Sequence, residues 1–427
     1  MSNTPNRSRR PVSSSNNNGR SRTFSAVKRS TNSRTNRPQS NRFRRNNNPR
    51  SGRRNRRSSF DVSRYINRNP SAQSAEPVYQ PQHTFGDFGF GATVMENINR
   101  SGLSSPTPIQ DKIIPLIING RDTVGIANTG TGKTAAFLLP LIELNLRNKD
   151  RQTLILTPTR ELAIQIESEL QKLTRGQKIY STICIGGANI QNQIKSLRKT
   201  NHFIIGTPGR VLDLISRKVL KLEKINTAVL DEADRMLDMG FIKDIRSILS
   251  CTPDQKETHC FSATMPAEIE RLIRDFLKQP TTISVKKQDI SANIHQDVIR
   301  HRSENKFETL TELLNRPDFS RVLIFGEMKH GVEKLSRDLS RQGLSSASIH
   351  GNKSHPQRQR ALQGFKNGST SILVATDVAA RGLHISEVSH VINYDLPSTY
   401  EDYIHRIGRT GRGNKYGQAL TFVEGQK

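Results

Sequence analysis

Residues Ala127 to Thr134 read A-N-T-G-T-G-K-T. A glycine-punctuated turn followed by Lys-Thr lets successive backbone N–H groups cradle phosphates, adds the Lys133 ammonium, and offers the Thr134 hydroxyl to Mg²⁺. The candidate binding set is Thr129, Gly130, Thr131, Gly132, Lys133 and Thr134. Such loops more often open on Gly, and here Ala127 holds that place. Further along, the apolar run Thr227-Ala228-Val229-Leu230 delivers Asp231-Glu232-Ala233-Asp234. A carboxylate placed directly after a strand-like run can hold the metal of a nucleotide–Mg²⁺ complex, which is the role read for Asp231. Loop and acids together specify nucleotide chemistry.

These groups need rigid elements to bring them together. From Phe85 onward, short apolar runs alternate with helical patterns, the signature of parallel sheets wrapped by helices. Strands are predicted at 123–126, 153–156, 182–185, 203–205, 228–230 and 259–261, each ending where a motif begins. Ligands of α/β proteins gather at such carboxyl ends. The apolar spacing of Glu161 to Leu170 predicts a helix. After a polar, basic stretch the pattern restarts, with strands predicted at 322–325, 348–350, 372–375, 388–393 and 419–423. The fold class is therefore α/β, with an arm at 1–83, a first domain at 84–285, a linker at 286–296 and a second domain at 297–427. The second domain has no GKT loop, so one nucleotide site serves the pair.

The chain has 427 residues and a net charge of +28, and the charge is unevenly placed. Residues 1–75 hold 19 of the 66 Lys/Arg but only Asp61 among the acids. That arm is Asn, Ser, Arg and Pro with isolated aromatics, too little apolar surface to offset chain entropy, and it is expected to be disordered. Its charge suits a polyelectrolyte contact with nucleic acid through counterion release; a purely solubilising tail is the plainer reading. Its composition is also that of a transit peptide, but it lacks the aliphatic residues of an amphipathic helix. No apolar run spans a membrane and no secretory signal begins the chain. Cys184, Cys251 and Cys260 have no CxxC spacing and read as reduced residues. His202, His259, His295, His301, His330 and His390 show no metal-ligand spacing and read as structural.

In order, the chain carries Pro106-Thr107-Pro108-Ile109-Gln110, the phosphate loop, Pro158-Thr159-Arg160-Glu161-Leu162-Ala163, Gly186-Gly187, Thr207-Pro208-Gly209-Arg210 and the acidic tetrad. Ser262-Ala263-Thr264, Ala375 to Leu383 and His405-Arg406-Ile407-Gly408-Arg409-Thr410-Gly411-Arg412 follow. This series resembles the DEAD-box RNA helicases of superfamily 2, from Phe85 to Lys427. The resemblance implies two tandem RecA-like domains, with ATP and Mg²⁺ as cofactors and RNA as partner. It makes Gln110 the adenine selector with Phe85 stacking on the base, although a lone aromatic there also reads as core. Glu232 would orient or deprotonate the attacking water, and adjacent acids on a strand end point in different directions, which suits two roles. Asp234, otherwise a helix cap, would link Ser262, Thr264 and His405 to phosphate state. Arg409 and Arg412 look like arginine fingers reaching the γ-phosphate, so that hydrolysis depends on closure.

Backbone contacts to RNA are implied for Thr159, Arg160, Gly187, Thr207, Gly209 and Arg210 of the first domain. Gly351, Arg358, Thr376 and Arg381 supply them in the second. Hydroxyls, guanidinium groups and backbone N–H groups suit phosphate and 2′-OH, which carry little base information; for any single Thr or Gly, a turn or cap serves equally well. Three positions depart from the family pattern. His355 stands where Gln is usual, His384 replaces the Asp that contacts the ribose, and the chain stops soon after Phe422-Val423. A neutral imidazole at 384 can accept a hydroxyl hydrogen bond and a protonated one cannot. The reading is an ATP-dependent RNA helicase that unwinds short duplexes or remodels RNPs without sequence preference, monomeric in its core and placed in a bacterial cytoplasm. Its rivals are an annealing protein or ATP-gated clamp driven by the arm, and a DNA-translocating helicase.

Overall fold

The computed structural model describes residues 65–68, 79–128, 130–285, 294–380, 385, 388–411 and 416–425. The arm up to residue 64 therefore lies outside the described residues.

Two parallel sheets organise the described residues. The first joins β1 (Thr123–Ile126), β2 (Gln152–Leu156), β3 (Ser181–Cys184), β4 (Phe203–Gly206), β5 (Ile225–Asp231), β6 (Glu257–Ser262) and β7 (Thr281–Ser284) in the order β3-β4-β2-β5-β6-β1-β7. Every pairing is parallel, as it must be when each strand returns through a helix. The second joins β8 (Ile294–His301), β9 (Val322–Phe325), β10 (Ser346–Ile349), β11 (Ile372–Ala375), β12 (His390–Asn393) and β13 (Gly417–Glu424) in the order β10-β11-β9-β12-β13-β8. It too is parallel throughout. We call the first body lobe 1 and the second lobe 2.

Strand alternation explains why each sheet is covered on both faces. Ile155, Ile205, Val229 and Phe261 enter one apolar cluster, while Leu154, Ile204, Leu230 and Cys260 enter the other. In lobe 2, Val322, Ile324 and Val374 point to one cluster, and Leu323, Phe325 and Leu373 to the other. Side chains that alternate across a pleat and are apolar at every position need helices on both sides.

In lobe 1 those helices include α1 (Ala92–Arg100), α2 (Pro108–Ile118), α3 (Lys133–Arg147), α4 (Arg160–Leu173), α5 (Ile190–Leu197), α6 (Pro208–Ser216), α7 (Ala233–Asp238), α8 (Ile242–Leu249) and α9 (Ala267–Phe276). Lobe 2 has α10 (Lys306–Leu314), α11 (Lys329–Arg341), α12 (His355–Lys366), α13 (Asp377–Ala380) and α14 (Tyr400–Ile407).

Two domain boundaries differ from those the sequence predicts, and several strands are shifted by one or two residues. The span 286–296 reads as linker, but β8 begins at Ile294 and pairs with β13 over its whole length, from Gly417↔Ile294 to Glu424↔His301. Its sequence, I-H-Q-D-V-I-R-H, is too polar to signal a strand; pairing with β13, not apolar patterning, makes it one. The span 1–83 reads as arm, but Tyr65–Arg68 and Tyr79–His83 pack on the lobes through contacts described below. The strand β7, T-T-I-S at the sheet edge, also gave no apolar signal.

Candidate nucleotide and RNA site

The strand β1 runs into the phosphate loop, and α3 starts at its end. Gly130 and Gly132 hold φ values of 83° and 91°, which favour glycine. A Cβ on Gly132 would lie 2.5 Å from Gln110 Nε2 and 3.0 Å from Thr107 Oγ1. Gln110 is itself tied to the loop. Its Nε2 donates to Gly132 O at 3.1 Å, and its Oε1 accepts from Thr107 N at 2.9 Å. Thr131 Oγ1 donates to Asn128 O at 2.9 Å, and the buried Lys133 Nζ donates to Ala127 O at 2.7 Å. Thr134 follows in the first turn of α3, partly exposed. Thr129 lies outside the described residues. Phe85 is 4% exposed and packs edge-on against Phe88 in the core, so a stacking role for its ring rests on the resemblance alone.

The acids sit where β5 ends between β2 and β6, one strand away from β1. Asp231 is 3% exposed and its Oδ1 has no hydrogen-bond partner. Burial pushes its carboxyl up to about 7; the Lys133 charge pulls the other way, and Glu232 adds to the rise. A buried carboxylate oxygen without a hydrogen-bond partner is the kind of oxygen ligand a hard cation takes. Glu232 occupies the left-handed region at φ 55°, ψ 52°, a conformation that costs a non-glycine residue about 1–3 kcal/mol. Its Oε2 accepts from the buried Arg235 Nη1 at 2.9 Å. Asp234 Oδ2 accepts from Ala263 N at 3.0 Å, Thr264 N at 2.8 Å and Thr264 Oγ1 at 3.1 Å. Asp234 N donates to Ser262 Oγ at 3.2 Å. Burial alone would raise the Asp234 carboxyl, but the donors from Thr264 and the Lys133 and Arg235 charges hold it below its usual value.

Between the lobes lies a cavity of 410 Å³, lined by Thr159, Arg160, Thr207, Gly209 and Arg210 from one side and by Gly351 and Arg358 from the other. Thr159 caps α4 by accepting from Leu162 N at 3.2 Å. The Arg160 guanidinium lies over Gly186-Gly187 so closely that a Cβ on Gly187 would sit 2.2 Å from its Nη1. Arg210 Nη1 donates to Gln193 Oε1 at 3.1 Å. Across the seam, Arg358 Nη2 pairs with Glu161 Oε2 at 2.8 Å, with side-chain exposures of 14% and 9%. Thr376 is buried at the start of α13, where its carbonyl accepts from Ala379 N and Ala380 N. Arg409 is 5% exposed just beyond α14, and His405 lies within that helix. Arg381, His384 and Arg412 lie outside the described residues.

Residues 107–272 match the DEAD/DEAH box helicase family and residues 305–414 the helicase conserved C-terminal domain. The ATP-dependent RNA helicase CshA of Limosilactobacillus reuteri is 46% identical over 341 residues, 79% of this chain and 69% of that one. The chain belongs to the DEAD-box ATP-dependent RNA helicases. CshA of Bacillus subtilis is likewise 46% identical, over 342 residues that cover 80% of this helicase and 69% of that protein. Among solved structures, S. cerevisiae Dbp5 bound to RNA and ADP BeF3 is similar, with a TM-score of 0.71 and 31% identity over 80% of this chain and 90% of that one. Mss116p bound to ssRNA and AMP-PNP gives 0.72 at 27% identity, covering 82% and 77%. The protein is therefore an ATP-hydrolysing enzyme with two RecA-like lobes.

The helicase carries structural charges that motif reading passed over. Arg406 is 2% exposed; its Nε and Nη2 each donate to Asp377 at 2.6 Å, and Nη1 donates to Asn393 Oδ1 at 3.2 Å and Asp395 O at 2.7 Å. One guanidinium thus fastens α13, β12 and α14 together beside Arg409. Arg235 does similar work for Glu232. Arg406 stands inside the last motif and Arg235 directly follows the acidic tetrad, each on a short helix and followed by one apolar residue, Ile407 and Met236.

Proposed function

We propose that this helicase works as a two-lobed clamp in which ATP is held by the phosphate loop, RNA lies in the seam cavity, and hydrolysis requires the lobes to be shut. The observation that carries this reading is the cavity lined jointly by Arg160, Arg210, Gly351 and Arg358, with the Glu161–Arg358 pair bridging its walls. Groups that address sugar and phosphate carry little base information, so the bound RNA is read without sequence preference. Closing on one strand while bending it would separate a short duplex locally. The similarity to Dbp5 bound to RNA and ADP BeF3 and to Mss116p bound to ssRNA and AMP-PNP supports the closed arrangement.

Within lobe 1, Lys133 and the loop N–H groups take the phosphates, and Gln110, fixed between Thr107 N and Gly132 O, sits beside the loop where an amide can select adenine. Thr134 and the unpartnered Oδ1 of Asp231 fit Mg²⁺, which when bound supplies charge neutralisation at the phosphates. Glu232 is the general base, aimed by its left-handed backbone and by Arg235. Asp234 relays phosphate state to Ser262-Ala263-Thr264, with His405 as its lobe-2 contact. Arg409 and Arg412 complete the site from lobe 2 against charge developing on the γ-phosphate. Among the described residues no helix is long and apolar enough to cross a membrane. We assign the bacterial cytoplasm, a monomeric core and RNA as the partner.

Glu232→Gln keeps shape while removing the base. RNA-stimulated ATP turnover and duplex separation should fall by roughly 10²–10⁴-fold, with ATP binding retained. Full turnover in that variant ends the assignment. Stimulation by DNA equal to that by RNA would favour a DNA translocase instead.

A further inference from the structure

Tyr65–Arg68 precedes lobe 1 in the chain yet is docked on lobe 2. Tyr65 is 7% exposed and packs in a cluster with Ile294, Tyr403, Ile407 and Ala419. Its ring meets Tyr403 edge-on at 4.5 Å and 74°, and Tyr400 at 6.3 Å and 76°. Tyr403 OH donates to Gln296 Oε1 at 2.9 Å, which fixes the ring that Tyr65 packs on. Two residues later, Asn67 forms an antiparallel bridge with Gln296, Asn67 N to Gln296 O at 2.8 Å and Gln296 N to Asn67 O at 2.9 Å. Arg68 then donates to Asp297 Oδ1 through Nη2 at 2.9 Å and Nε at 3.2 Å.

The next described residues of the chain, Tyr79–His83, are docked on lobe 1. There the buried Asp111 of α2, one position after Gln110, accepts from Tyr79 OH at 2.5 Å, Gln82 N at 2.8 Å, and His83 N at 3.1 Å, with His83 Nδ1 at 2.7 Å. Burial would raise the Asp111 carboxyl, and these donors hold it below its usual range. Both ends of the crossing are built: an aromatic anchor with a backbone bridge on lobe 2, and a saturated carboxylate on lobe 1.

We propose that Tyr65–Arg68 and Tyr79–His83, successive anchors of one chain, act as a strap between the lobes, with the surface made by Gln296, Asp297, Tyr400 and Tyr403 serving as the docking site for the chain's own Tyr65–Arg68. The strap gives lobe 2 a second, non-covalent tie to lobe 1 through the docked Tyr65–Arg68, besides the covalent connection through residues 286–293. One end lies against α14, which leads into Arg409; the other lies against α2, which carries Gln110. A tie of ten residues between Arg68 and Tyr79 reaches at most about 40 Å, so it limits lobe excursion and raises the effective concentration of one lobe at the other. Tyr65 supplies the hold; the Arg68–Asp297 pair, with Arg68 largely exposed, supplies orientation.

Two measurements on the full chain test this, and only the second rests on the closure reading above. In hydrogen exchange, Tyr65→Ala with Arg68→Glu should speed exchange of the Gln296 amide at least tenfold while sheet amides such as Ile324 keep their protection. In ATPase assays the same variant should need three- to tenfold more RNA for half-maximal stimulation, with the RNA-free rate unchanged. Arg68→Glu with Asp297→Arg should restore the orientation and recover most of the native half-saturation. Arg57→Glu, the same charge change away from the docked segment, is the control; an equal shift there would show that arm charge alone is responsible and overturn the strap. A Gln296 amide unprotected in the native chain, or lost protection with unaltered RNA stimulation, would overturn it as well.

Discussion

At the scale of single residues, the site depends on positions where only one side chain fits. Gly187, at φ 76°, would place a Cβ 2.2 Å from Arg160 Nη1. The obstructing atom is the tip of a mobile side chain, so Gly187→Ala should displace the guanidinium without unfolding lobe 1. RNA affinity should fall roughly tenfold, while left-handed strain costs about 1 kcal/mol of stability. RNA titration with a parallel melt checks both, and unchanged affinity would remove Arg160 from the RNA wall. Gly132 is the opposite case. A Cβ there meets Gln110, which is 1% exposed and bonded at both ends of its amide, so Gly132→Ala should abolish detectable nucleotide binding in a fluorescent-ATP titration. The loop and acids were legible because each chemistry demands a residue type at a fixed spacing. Arg235 and Arg406 were not, since their work is to hold other side chains, and partners such as Asp377 and Asn393 become neighbours only in the fold.

At the scale of elements, apolar runs revealed the central strands because both faces of a parallel sheet are covered. Two of the four edge strands escaped for the same reason: β7 and β8 carry polar, partly exposed residues, whereas the edges β3 and β10 kept enough apolar residues to be read. One buried polar group inside lobe 1 makes the sheet pH-sensitive. His259, on β6 beside β1, is fully buried with Nδ1 3.0 Å from Thr123 Oγ1, and burial pushes its pKa from 6.5 down to about 3, with the Arg151 charge adding to the fall. Between those values the unfolded chain binds a proton that the fold refuses. The stability it contributes is therefore complete above pH 6.5 and declines as pH falls toward 3, by roughly 1.4 kcal/mol per unit. Going from pH 7.5 to 5, the native chain should lose about 2 kcal/mol more than His259→Gln in urea melts. Parallel losses in the two proteins would show that His259 is not buried neutral. Arg406→Met tests the other element joint: it strands Asp377 beside α14 and should cost about 3–5 kcal/mol in the same melts.

At the scale of the whole molecule, the seam decides between two roles for Arg358. The family pattern assigns it to the RNA backbone, and the sequence offers no partner for it, because Glu161 belongs to another domain and reads as an ordinary helix residue. In the fold the two meet at 2.8 Å, nearly buried. If Arg358 serves only as a phosphate contact, Glu161 competes with RNA for it, and Glu161→Gln should leave RNA affinity equal or tighter. If the pair closes the seam, Glu161→Gln and Arg358→Gln should each weaken RNA binding in the presence of a non-hydrolysable ATP analogue, and the double variant should be little worse than either. The coupling energy from that cycle should be about 1–3 kcal/mol with the analogue bound and near zero without nucleotide, where the lobes are tethered but free to part at the seam. RNA titrations of the four proteins under both conditions measure it. A coupling that persists without nucleotide would mean that the lobes stay shut on their own, and that ATP then acts on something other than closure.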